Sequence, residues 1–494
     1  MRILRRLERS RQFWFVIFST FLFFILRLPS LFEPLWYGDE GIYQVVGNSI
    51  NHGKLLYSQI FDNKPPFLYW LYAILQSDQF TIRLMSAMFG ILSVIMFFFL
   101  SKKLFNNAKS NIPLLTTFIF AILFGLPTLE GNIANAENFM LLPIIASAIL
   151  ILDSQKTNLN RFSINPLSLI LNHYFLAGLL LGVAFLFKIV AIFDLAAFLV
   201  FCFIVNFNSL KKEIKLFSII MGFLIPISFV SILYISNGTF MDFIKATFIA
   251  NISYVSYGNK IGSLPFLLFI KLALLGGFLF FVLMKRKKIN QTTLFVSVWF
   301  AFSLFNSYFS QRPYTHYLLV LIPSLSLATG AFLFDKKYQK IIVVFFIIAL
   351  LTIIKTFGMP NFNKSINYYQ NFISYVLGKK TMVSYQAFFD RNTPFDYEIA
   401  RFIKPKLTKN DTIFVWGNNA QLYQLIGVIA PTKYVVAYHI SNYKDGPTTT
   451  QMAIEKTKPK FIIIIASNSS IPFSLINYSK KININHATIY ERIF

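Results

Sequence analysis

Long apolar runs with their charges expelled to the ends constrain this chain more than any other feature. Phe13–Leu28, Ile82–Leu100, 112–127, 138–152, 174–187, 189–205, 216–235, 263–284, 293–309, 317–334 and 341–355 are each almost free of charge. A helix needs roughly 17–25 apolar residues to cross a bilayer. Only 13% of the 494 residues are charged and 56% are hydrophobic, against about 25% charged in a soluble domain. The pattern predicts a polytopic α-helical membrane protein with about eleven spans.

The formal charge of +26 does not point to nucleic acid. The basic residues cluster in short loops, as Lys102, Lys103 and Lys109, Lys156 and Arg161, Lys211, Lys212 and Lys215, Lys285 to Lys288, and Lys336, Lys337 and Lys340. The positive-inside rule places these loops in the cytoplasm. It does so only if the nine residues Phe67–Leu75, too short to span, lie at the interface instead of crossing. The basic residues 1–12 then put the N-terminus in the cytoplasm and make Phe13–Leu28 an uncleaved first span. Cys202 is the single cysteine, so the chain builds neither a disulfide nor a cysteine metal site. Gly178 and Gly182 form a small-xxx-small pair that suits close helix packing. Lys188 falls at a predicted outer turn between two runs.

After residue 356 the runs shorten and polar residues return. Thr412–Trp416, Lys433–Ala437 and Lys460–Ala466 read as short buried strands, with helical stretches at Ala420–Ile426 and Thr449–Thr457. That alternation predicts a small C-terminal α/β domain, outside the cell when the span count is odd. The expected division is thus 1–355 for the membrane domain and 356–494 for the extracytoplasmic one, with a catalytic first outer loop over 32–81. No glycine-rich phosphate loop or dinucleotide turn is visible.

That first loop, WYGDEGIYQVVGNSINHGKLLYSQIFDNKPP from Trp36 to Pro66, is polar, acidic and aromatic between two apolar stretches. Asp39 and Glu40 are adjacent acids. One can take a proton from an attacking hydroxyl, and the other can hold a metal, a sugar hydroxyl or the loop itself. Lys64 stands before two prolines, which fix an extended backbone and hold the ammonium where a phosphate oxygen could meet it. Asp62 can orient Lys64 or add a third acid. A late outer loop, RPYTHY, brings Arg312, His316 and Tyr317 together, and arginine grips phosphate with two parallel bonds. Glu130 and Glu137 place further acids outside.

YGDEGIY at 37–43, its spacing to DNKPP, Glu137, GLLLGVAFLFK at 178–188, RPYTHYLLVLIP at 312–323 and DTIFVWGNNAQLYQLIGVIAPTKY at 411–434 resemble the GT-C glycosyltransferases of the protein mannosyltransferase and aminoarabinose transferase type. The resemblance covers most of the chain. It implies a membrane enzyme that moves a sugar from a polyprenyl-phosphate donor to a protein, lipid or glycan acceptor on the outer face, with inversion. It implies a catalytic role for the Asp39-Glu40 motif and donor contacts from Lys64 and Tyr317, with Tyr43, Asp62, Glu137, Arg312 and His316 nearby. Asn63 stands where aminoarabinose transferases carry an acid, so that substrate is not implied. A divalent metal is an open option for the carboxylates, and the expected partners are the lipid-linked sugar donor, membrane lipids and an unspecified acceptor, with no nucleic acid. A lipid-linked-sugar flippase is the alternative. Inverted repeats and mid-membrane ionisable residues would favour it, and the ionisable residues here gather in the loops.

Overall fold

The computed structural model describes residues 11–105, 111–156, 172–207, 212–259, 266–312, 314–334, 362–465 and 471–493, with helical residues 340, 344, 347–352 and 355. The basic residues expected at 1–10, 106–110, 157–171, 208–211 and 335–339 lie outside the described residues, as does much of the expected span 341–355. The chain divides into two compact units.

The first unit comprises Met1–Leu28, Met85–Ser236 and Ile249–Ser365, and its described elements are helical. Among the described residues six helices are long and apolar enough to cross a membrane: Arg11–Phe32, Gln79–Leu104, Ala136–Ser154, Glu213–Ser236, Phe266–Lys288 and Thr315–Phe334. Ile112–Gly125, His173–Phe187 and Ile189–Val205 are apolar but shorter. The expected count of about eleven is therefore met by six on length alone. A 14- or 15-residue helix rises only about 22 Å at 1.5 Å per residue, short of a ~30 Å hydrocarbon core.

Aromatic rings fill much of the space between these helices, as where Phe97 stacks on Phe120 with centroids 4.3 Å apart. Asp194, on the helix Ile192–Val205, is buried among these helices. It accepts a hydrogen bond from the indole nitrogen of Trp299 at 2.8 Å, the kind of partner an intramembrane carboxylate needs.

Helices His173–Phe187 and Lys212–Ser236 touch backbone to backbone. A methyl group at Gly178 would stand 2.0 Å from the carbonyl oxygen of Ile219, and one at Gly222 would stand 2.1 Å from that of Phe175. The glycines are needed because no side chain fits this crossing. Gly178→Ala is expected to force the helices apart at a cost of about 1–3 kcal/mol, the range for overpacking. Thermal unfolding of the detergent-solubilised protein measures this, and an unchanged midpoint would mean that the helices slide freely.

The second unit joins Pro29–Leu84, Asn237–Phe248 and Ile366–Phe494. The polar loop over 32–81 therefore belongs to the same compact body as the C-terminal segment. Its sheet contains β1 (Ile413–Trp416), β2 (Phe461–Ile465), β3 (Tyr478–Ile484) and β4 (Ala487–Arg492) in the order β1-β2-β4-β3. β1 and β2 pair in parallel with Ile413 opposite Phe461, and helices fill the crossover between them. β2 and β3 both pair antiparallel with β4. All four residues of β1 are buried.

The expected strand at Lys433–Ala437 is absent. Tyr434, Val435 and Val436 are buried, but their stretch bonds to loops and not to a ladder. The Phe61 amide donates to the carbonyl of Lys433 at 3.0 Å, and the Ala437 amide donates to that of Gly417 at 2.9 Å. The apolar run reported burial, which strands and buried loops share. No apolar alternation in the sequence marks the β3–β4 hairpin, because the exposed edge strand YSKKINI carries lysines in its place.

Candidate active site

In the second unit a helix begins at Gly38 and runs to Asn51, with Asp39 and Glu40 in its first turn. Acids are favoured there by the partial positive charge of the helix N-terminus. Neighbours on a helix point about 100° apart, and here that separates the two carboxylates completely. Asp39 is 37% exposed in its side chain, whereas Glu40 is 4% exposed as a residue.

Glu40 faces inward to Arg83. The Arg83 guanidinium donates through Nε to Glu40 Oε1 at 3.1 Å and through Nη2 to Oε2 at 2.5 Å. Its Nη1 reaches the Ser30 carbonyl at 2.7 Å and Glu33 Oε2 at 2.9 Å. Glu33 also accepts from Trp36 Nε1 at 2.8 Å and from the Tyr368 hydroxyl at 2.5 Å. Arg83 has no exposed surface. This arginine with its two acids clamps the entry of the Gly38–Asn51 helix to the start of the next long helix. Both Glu40 carboxylate oxygens are thus engaged by Arg83.

Asp39 points the other way. Its Oδ2 accepts the Tyr43 hydroxyl at 3.1 Å, one helical turn on, and lies 3.7 Å from Lys64 Nζ. Lys64 Nζ lies equally far from Asp62 Oδ2 and sits 4.8 Å from the centre of the Tyr43 ring. The lysine backbone is gripped on both sides. Its amide donates to the Tyr69 hydroxyl at 3.1 Å, and its carbonyl accepts the Tyr57 hydroxyl at 2.7 Å. Pro65 is extended and Pro66 opens the nine-residue helix Pro66–Ile74, where the missing proline amide costs nothing. Tyr69 donates in turn to Asp62 Oδ2 at 2.6 Å. Burial and the adjacent Asp62 carboxylate push its phenol well above the ordinary range, so it stays protonated to make that bond.

His439, on a short helix Ala437–Asn442, closes the cluster. Its Nε2 is 3.7 Å from Asp62 Oδ1. Burial holds its pKa down at about 4 against the pull of Asp62, so the imidazole is neutral near pH 7. The structure thus brings Asp39, Tyr43, Asp62 and Lys64 together with Tyr57, Tyr69 and His439.

A second polar cluster lies in the first unit. Lys188 is ion-paired to the buried Glu137 and stands 4.6 Å from the centre of the Tyr317 ring. His316 Nε2 is 3.9 Å from Glu137, and its Nδ1 is 2.9 Å from Glu130 Oε2. The Thr315 hydroxyl donates to Glu130 Oε1 at 2.5 Å. Glu130 holds this position from a left-handed backbone, φ 58°, which costs a non-glycine residue of the order of 1 kcal/mol. Glu137, His316 and Tyr317 therefore meet as a group with Lys188 at its centre. Arg312 is half-buried in the same unit.

Glu33, Arg83, Tyr57, Tyr69 and His439 join these clusters without any sequence motif that marks them. Arg83 did leave a signal. An arginine one residue inside an apolar span needs a buried acid as partner, and the loop upstream of it carries Glu33 and Glu40 among its acids. Among the described residues no three His, Cys, Asp or Glu side chains gather as metal ligands.

No family model matches the chain, and no curated protein does. Solved structures do. The crystal structure of ArnT from Cupriavidus metallidurans bound to undecaprenyl phosphate aligns with a TM-score of 0.56 at 14% identity, covering 97% of this chain and 98% of that one. The apo state of the same protein aligns at 0.57 with 13% identity and the same coverage. At such identity the likeness is one of fold.

Proposed function

We propose, for a chain that has the fold of the GT-C glycosyltransferases, that it is a membrane glycosyltransferase moving a sugar from a polyprenyl-phosphate donor to a protein, lipid or glycan acceptor. The observation that carries this reading is the fixed Lys64 ammonium, 3.7 Å from each of two carboxylates, one of which is partly open to solvent. A lysine whose backbone is held at both ends offers a cation that need not reorganise when charge develops beside it.

In this reading the donor phosphate takes Lys64. The acceptor hydroxyl attacks the anomeric carbon and passes its proton to Asp39, the partly exposed acid. The carbon–oxygen bond to phosphate breaks, and the electron pair leaves with the polyprenyl phosphate toward Lys64. Attack opposite the leaving group inverts the anomeric centre. Tyr43 orients Asp39. Glu40 anchors the helix and does not transfer the proton. Arg312, His316, Tyr317 and Glu137 are proposed, on their own geometry, to bind a phosphate or hydroxyl group. The chain lies in the cell membrane with its N-terminus in the cytoplasm and its C-terminal segment outside, as the basic loops favour. A reporter fused after residue 360 should therefore be active only outside the cytoplasm.

Membranes holding the protein are to be fed a panel of labelled polyprenyl-phosphate sugars. Transfer of one label to a lipid, glycan or protein product supports the reading. No transfer from any of them, together with no binding of undecaprenyl phosphate, would overturn it. In the purified protein Lys64→Ala is expected to weaken undecaprenyl phosphate binding roughly ten- to a hundredfold, the loss of one charge-assisted contact of about 1.5–3 kcal/mol. Equal affinity would remove Lys64 from the donor site.

A further inference from the structure

Asp62 is 1% exposed, and a buried carboxylate must keep a partner. Its Oδ2 has the Tyr69 hydroxyl at 2.6 Å and Lys64 Nζ at 3.7 Å. Its Oδ1 faces His439 Nε2 at 3.7 Å. Both longer approaches stop short of hydrogen bonds, so Asp62 sits poised between two donors. A phosphate that takes Lys64 draws the ammonium off Asp62 and leaves the buried charge under-compensated. His439 is then the group that can close in.

The tautomer of His439 favours this. Nδ1 is buried without a hydrogen-bond partner among the described residues, so a proton there would be an orphaned donor. Placed on Nε2, the same proton points at a carboxylate. The ring packs against Tyr438, with centroids 4.4 Å apart, and against Phe61 at 5.4 Å. Its backbone segment is tied to the loop through the Phe61 amide and the Lys433 carbonyl. A neutral imidazole supplies the donor without adding a second cation beside the phosphate.

We propose that His439 is a positioning residue that takes over Asp62 when Lys64 turns to the donor phosphate, so that the C-terminal segment supplies part of the donor site. This rests on the glycosyltransferase reading above. The exchange also explains why an acid stands next to a lysine meant for an anion: Asp62 places Lys64 in the empty site and releases it in the filled one.

The test is binding of undecaprenyl phosphate to the purified full-length protein, with thermal unfolding measured beside it. His439→Phe keeps the ring packing and removes the nitrogen, and is expected to weaken binding about tenfold, equivalent to ~1.4 kcal/mol. His439→Gln puts an amide NH2 near the Nε2 position and should bind within about twofold of the parent, whereas His439→Asn, whose amide reaches only the Nδ1 position, should resemble His439→Phe. A structural role alone would not separate Gln from Asn at equal unfolding temperature. Parent-like binding by His439→Phe, or equal behaviour of Gln and Asn, overturns the proposal and leaves the glycosyltransferase reading standing. Failure of the parent itself to bind overturns both.

Discussion

Asp39→Asn is expected to lower sugar transfer by about 10²–10⁴-fold, the usual worth of a general base, while undecaprenyl phosphate still binds. Asparagine keeps the shape of aspartate and can still accept from the Tyr43 hydroxyl, which lies 3.1 Å from Oδ2. It cannot take a proton from an acceptor. The binding arm has a definite sign. Asp39 is an anion 3.7 Å from the lysine that is to hold a phosphate, so neutralising it removes a competitor for Lys64 and a repulsion on the ligand. Affinity should stay level or rise. Transfer by labelled donor and equilibrium binding, measured on the same preparation, decide the matter. Undiminished transfer would remove Asp39 as base, and a matching loss in binding would make it a binding residue.

Arg83→Met is expected to damage the fold more than any other single change in the second unit. Methionine fills much of the arginine stem but leaves the Glu33 and Glu40 carboxylates buried without their cation. Removing one partner of a buried ion pair costs about 3–5 kcal/mol, and here two acids lose theirs. The variant should melt far below the parent or fail to accumulate. Adding Glu33→Gln and Glu40→Gln to Arg83→Met should recover much of the loss, because a neutral set carries no uncompensated charge. Arg83→Lys should sit between, since an ammonium cannot make the forked contact to Glu40 and reach Glu33 as well. A parent-like melting point for Arg83→Met alone would show that the clamp contributes little.

The same clamp shows why the adjacent acids had to be separated by structure. In the sequence Asp39 and Glu40 are equivalent: two carboxylates, side by side, in one polar loop. The helix turns them roughly 100° apart, and Arg83, 43 positions from Glu40, claims one. Hydropathy located the Arg83 helix but treated the arginine as its edge. The KPP turn fared better, because proline acts on its immediate neighbours and its effect can be read in place. The extended Lys64 backbone was legible, although the tyrosines that grip it were not.

The sequence alone determined the membrane-spanning class, the polar first loop with its acid pair and rigid lysine, and two of the four strands, since each follows from local composition or from covalent geometry. Only the tertiary structure decided which acid of the pair faces Lys64, which helices reach the length of a bilayer, and that His439 of the C-terminal segment stands against Asp62. The pairings among them join residues far apart in the chain, Arg83 43 positions from Glu40 and His439 more distant still from Asp62. No local pattern encodes them, because burial and pairing are set by which elements pack together and not by what lies beside a residue in sequence.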